Sequence, residues 1–89
     1  MDIVGRLSII QQEIQTVENE KLQREQRLGL LWEHLPALDP ERVGRVMQEI
    51  RDHIRALEDQ KRALLQEQQS LLVEGAINNR RGNGNNGGN

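Results

Sequence analysis

The sequence predicts an all-α fold: an antiparallel two-helix hairpin, coiled-coil-like, dimerising into a four-helix arrangement and ending in a disordered C-terminal tail. Three observations carry this expectation. Apolar residues step by four and three along two long stretches, and the only two prolines fall between them. The last twelve residues are Asn, Gly and Arg alone. Composition agrees: the 89 residues are 35% hydrophobic and 29% charged, with one Trp and no Phe or Tyr. Leu, Ile, Val, Gln, Glu and Arg dominate instead, which suits long helices better than a small globule.

The first helix is expected over residues 2–35, where Ile3, Leu7, Ile10, Ile14, Val17, Lys21, Arg24, Leu28, Leu31 and Leu35 form an unbroken 4-3 seam. Asp2 stands at the capping position, although Ser8 with Gln11 offers a later capping box that would leave the first turn frayed. Leu35 precedes Pro36 and is biased away from helical dihedrals, so the helix should stop there. A turn over 36–39 follows. Asp39, Pro40 and Glu41 read as an N-cap, a first-turn proline and an acid facing the positive end of the helix dipole. The second helix, expected over 40–74, carries the seam Val43, Met47, Ile50, Ile54, Leu57, Lys61, Leu64, Gln68 and Leu71, with Gly75 as its stop. The hairpin domain is thus residues 1–77. Residues 78–89 hold six Asn, four Gly and two Arg, with nothing apolar to offset the entropy of ordering.

A short connection makes the two helices antiparallel neighbours. Facing seams pair residues whose numbers sum to about 78, an estimate from the loop position. Leu35 then meets Val43, Leu31 Met47, Leu28 Ile50, Ile14 Leu64 and Leu7 Leu71. On one flank Val4 falls beside Leu72 and Glu25 beside Arg51; on the other Arg6 falls beside Glu74. Trp32 falls beside Gly44, where a missing side chain leaves room for an indole. One pairing costs energy: Glu13 faces Glu67. The polar seam residues Lys21, Arg24, Lys61 and Gln68 are expected to fix register, their aliphatic stems covering apolar neighbours while the charged ends reach water.

One stripe per helix makes a thin core. Ile9, Leu22 and Leu30 on the first helix, with Val46, Leu65 and Leu72 on the second, are left outside the seam. They predict self-association as a homodimer, and they also suit contact with another helical protein.

The stretch from Glu33 to Gly44 gathers Glu33, His34, Asp39 and Glu41, and His53 is the only other histidine. In the predicted register His53 lies beside Arg27 and far from His34, so the ligands do not converge as zinc requires. No nucleophile–base pair, phosphate-cradling glycine loop or HExxH spacing is present, and a two-helix layer offers no deep pocket. No catalytic residue, metal or cofactor is therefore expected. Trp32, Pro36, Asp39, Pro40 and Gly44 instead read as parts of a hinge. The chain has no cysteine, hence no disulfide framework. Residues 1–10 lack a basic start and a long apolar run, so no signal peptide or membrane span is expected. Together these point to an intracellular, cytoplasmic protein rather than a secreted one.

A net charge of −2 argues against nucleic-acid binding by bulk charge. Local basic surface is another matter. At 100° per residue Arg51, Arg55 and Arg62 share a narrow wedge of the second helix, with Glu58 among them and Asp52, Asp59, Glu49, Glu67 and Glu74 on a separate face. Such a stripe suits either solvent and local ion pairs, or the phosphates and 2′-hydroxyls of an A-form duplex. Arg80 and Arg81 in the tail would add phosphate contacts. In architecture, over residues 2–75, the chain resembles the double-stranded-RNA-binding silencing suppressors of nodaviruses, short helical hairpins that dimerise and present basic helix faces. No motif carries the likeness, and residues 1–77 differ in charge, holding ten basic and fourteen acidic residues for a net of −4. The leading expectation is a non-catalytic, self-associating hairpin acting in protein–protein interaction or assembly. The alternative is a dimeric RNA-binding protein using the arginine stripe.

Overall fold

The structure is a computed structural model describing residues 2–34 and 39–87, with side chains to residue 79. Two helices, α1 (Ile3–Glu33) and α2 (Pro40–Gly87), lie antiparallel as a hairpin in a rod 76 Å long and 17 × 14 Å across. Among the described residues there is no strand.

α1 starts where the first apolar residue does. Arg6 N–H donates to the Asp2 carbonyl at 3.0 Å, closing the first turn, so the later capping box at Ser8 is not used. The Asp2 side chain makes no capping bond of its own. At the other end His34 N–H donates to the Leu30 carbonyl, and the helix ends at Glu33, slightly short of the expected boundary. Leu35 and Pro36, the predicted stop, lie outside the described residues. Asp39 caps α2 as expected: its carboxylate accepts from the Glu41 N–H at 3.3 Å and its carbonyl from the Val43 N–H at 2.9 Å.

α2 does not stop at Gly75. The backbone there stays helical, and a Cβ at Gly75 would lie 3.7 Å from Ile3 Cγ2. Gly75 is therefore a seam position opposite the first residue of α1 rather than a cap. Beyond it the helix outruns α1: at 1.5 Å per residue the ten residues from Asn78 to Gly87 project about 15 Å past the packed hairpin. The polar, glycine-rich composition gives this overhang no apolar group to pack.

The seam buries the residues expected to face one another. Ile10, Ile14 and Val17 meet Leu57, Leu64 and Leu71 in one apolar cluster, with Ile3 and Leu7 packed against it. Val43, Met47 and Ile50 are buried nearer the turn, apart from that cluster, with Leu28 and Leu31 half-buried. Contacts across the hairpin hold the predicted register: Ile3 lies against Gly75, Gln11 against Gln68, Lys21 against Glu58 and Glu18 against Lys61.

Candidate functional site

Two flanks border the seam, and they differ in chemistry. The back flank carries Arg6, Glu13, Arg27, Val46, His53, Gln60 and Glu67; the front flank carries Val4, Gln11, Glu18, Arg51, Glu58, Leu65 and Leu72.

On the back flank, Arg6 was expected beside Glu74. Its guanidinium instead grips Glu67 with both oxygens, Nε–Oε2 at 2.8 Å and Nη2–Oε1 at 2.9 Å, and lies 3.9 Å from Glu13. This choice has a physical reason. Glu13 and Glu67 were the one like-charge clash of the register, and a single cation between them serves two carboxylates where Glu74 offers one. The Arg6 hydrogen bond holds the Glu67 carboxyl below the usual range against the opposing pull of desolvation, and Glu67 in turn raises Arg6. Nearer the turn, Arg24, Arg27, Val46, Glu49, Ile50 and His53 line a shallow groove of about 130 Å³, which keeps His53 by Arg27 as predicted. Val46, expected to be free for association, is half-buried there. A larger groove of about 280 Å³ runs along Ile9, Gln12, Glu13, Thr16 and Glu20. Both are open troughs. Among the described residues no three His, Cys, Asp or Glu side chains come together to hold a metal, and no helix is long and apolar enough to cross a membrane.

The front flank begins with a polar layer. Lys21 and Lys61 were expected to extend to water; each instead reaches a glutamate of the opposite helix. Lys21 Nζ lies 3.4 Å from Glu58 and 4.0 Å from Glu25, while Lys61 Nζ pairs closely with Glu18. The Lys61 ammonium lowers the Glu18 pKa by hydrogen bond first and charge second. These reciprocal pairs encode register. A slip of one heptad one way would set Lys21 against Arg51, and the other way against Leu65. Glu25, expected beside Arg51, is the i,i+4 partner of Lys21.

Toward the turn, the front flank holds the arginine stripe. Arg51, Arg55 and Arg62 are all exposed. Arg62 is bound at 3.3 Å to Asp59, an acid assigned from the sequence to a separate face, because i,i+3 neighbours are within reach of a long side chain. Among the described residues Arg51 and Arg55 have no acidic partner within 4 Å. The Arg80 and Arg81 side chains lie outside the described residues. Gly44 does not accommodate an indole: a Cβ there would meet nothing within 4 Å, and Trp32 is half-exposed. The two positions share a flank but diverge near the turn.

Toward the open end, the front flank becomes apolar and uncharged. Val4 is 78% exposed and Leu72 52%, with Leu65 and Val73 similarly open and Ile77 on the far side of α2. Ile9, Leu22 and Leu30 are exposed as expected, but scattered along α1. Sequence reasoning missed Val4, Val73 and Ile77 as free surface. Their signal was available: none occupies a seam position.

No family model, curated protein or solved structure matches this chain.

Proposed function

We infer that this protein is a non-catalytic, self-associating helical hairpin whose work is protein–protein interaction or assembly. The supporting observation is the apolar surface that the hairpin leaves open, concentrated on the front of its open end at Val4, Leu65 and Leu72. A two-helix layer covers each helix on one side only. Burying the remaining apolar side chains against a second hairpin would give a four-helix arrangement with coiled-coil packing, and another amphipathic helical protein is the other fitting partner. A cytoplasmic setting suits a chain without cysteine. The test is sedimentation velocity across a concentration series: a rise in mass toward the dimer is expected, and a folded monomer at every concentration overturns the proposal.

A second reading rests on Arg51 and Arg55, exposed cations on a long helix that make no salt bridge among the described residues. They favour an RNA duplex recognised through its backbone. Gel shifts at two salt concentrations test this: binding should fall steeply with salt and vanish in Arg51→Ala/Arg55→Ala/Arg62→Ala. No shift at low salt removes the RNA reading.

A further inference from the structure

We propose that the occupant of the open-end front face is the same face of a second copy, with the two hairpins overlapping antiparallel by their open ends and their turns pointing apart. This rests on the self-association reading above and gives it a surface and a geometry.

Charge distribution is the first argument. Along the open half of the hairpin, residues 2–17 and 63–79, the charged side chains are Asp2, Arg6, Glu13, Glu67 and Glu74. On the back flank Arg6 is bound to Glu67 and lies within ion-pair range of Glu13, and Glu74 shares that flank. The front face there is Val4, Ser8, Gln11 and Gln15 on α1, with Leu65, Gln69, Leu72 and Ala76 on α2, all without charge. Burying it desolvates no ion. Within these two stretches the charges outside the Arg6 cluster, Asp2 and Glu74, lie off the front face.

Self-complementarity is the second. Leu65, Gln69, Leu72 and Ala76 continue the 4-3 step on a line of α2 that stays exposed beside the seam. Run antiparallel against itself, this stripe sets Leu65 over Ala76 and Leu72 over Gln69 of the other copy, large against small and apolar against the stem of an amide. A two-fold axis between Ser70 and Leu71 makes both contacts twice.

The arginine stripe decides between orientations. A side-by-side parallel alignment would bring Arg51, Arg55 and Arg62 of both copies to the same level of one interface, about 10 Å apart at normal helix spacing and within a Debye length. The antiparallel overlap keeps the two stripes at least about 25 Å apart along the rod, from the rise per residue. Its contact is small, on the order of 400 Å² per copy for about 20 Å of two-helix width, so the dimer dissociates in the micromolar range or above.

The absence of cysteine makes the test clean, since one introduced thiol is the only one to label. The full chain is followed by sedimentation velocity, and Ser70→Cys and Arg45→Cys carry nitroxide labels at exposed sites off the proposed contact, for distance measurement in the associated state. The expected result is a dimer with Ser70 labels in short range and Arg45 labels about 75 Å apart along the axis, from the helical rise. Leu65→Gln/Leu72→Gln, at exposed positions that leave helicity unchanged, should raise the dissociation constant about tenfold or more. A dimer with close Arg45 labels, or one indifferent to that double substitution, overturns this geometry while leaving self-association standing. A monomer throughout overturns both; if that monomer cosediments with phosphatidylglycerol vesicles, the face belongs to a lipid surface instead.

Discussion

Replacing Ile10 by Ala empties the most enclosed side chain of the hairpin, at 0% exposure in the centre of the open-end cluster. Transfer of the lost methyl and ethyl carbons costs about 0.8 kcal/mol each, or about 2.4 kcal/mol in all. A cavity term adds to this in a thick core, where such truncations reach about 5 kcal/mol. Here only two helices enclose the site, and water enters from either flank, so the cavity term is small and the total stays near 2.5–3 kcal/mol by the same scale. For a domain of this size that lowers Tm by roughly 10–20 °C. The assay is thermal and urea unfolding followed by helical circular dichroism, at one fixed chain concentration because association shifts the midpoint. Gln23→Ala, at an exposed position off both the seam and the front face, is the control and should cost under about 0.5 kcal/mol. If Ile10→Ala loses no more than Gln23→Ala, the seam is not the core.

Other outcomes follow from single contacts. Gly75→Ala should stabilise by about 0.5–1 kcal/mol in a thermal melt, because its Cβ would lie in ordinary contact 3.7 Å from Ile3 and the helix continues through it. A loss of stability would return Gly75 to the role of a helix stop. Charge reversal at Lys21→Glu should lower the urea midpoint, and Lys21→Glu/Glu58→Lys should recover most of it; failure of the double variant to recover argues against the cross-helix pair. Glu18 and Glu67 both have lowered pKa values, so the unfolded chain takes up their protons first as pH falls. Their contribution is full above the ordinary carboxylate value, about 4.3, and is lost as pH drops through the lowered range. The urea midpoint of Glu18→Gln/Glu67→Gln should therefore fall less steeply over that acid interval than that of the unaltered chain.

Which parts of this molecule are legible in its sequence depends on how far each contact is over-determined. The seam register is, because a slip of one heptad disrupts the cross-helix lysine–glutamate pairs as well as the apolar pairing. The Arg6 partner is not. Glu67 and Glu74 lie on the same flank to either side of the Arg6 level, Glu74 the nearer in sequence, and preferring Glu67 requires knowing that Glu13 points at the same spot. Gly44 misleads for a related reason: two residues can share a level and a flank without touching. Gly75 misleads because composition announces a glycine without saying whether its missing side chain bends the backbone or lets another helix close in. The exposed apolar face is legible in part: Leu65 and Leu72 already stand outside the seam in the sequence, whereas Val4, set beside Leu72 by the register, is 78% exposed because sharing a level does not enforce contact.

The division of the seam carries one more consequence. Arg24 and Ile54 separate the cluster of Ile10, Ile14, Val17, Leu57, Leu64 and Leu71 from the smaller group of Val43, Met47 and Ile50. Opening that starts at the free ends thus meets a boundary before it reaches the turn, and opening at the turn meets the same boundary from the other side. The hairpin is built to breathe in two sections, each able to loosen while the other keeps the strands of the clasp aligned, so a partner could prise one half apart without dismantling the whole.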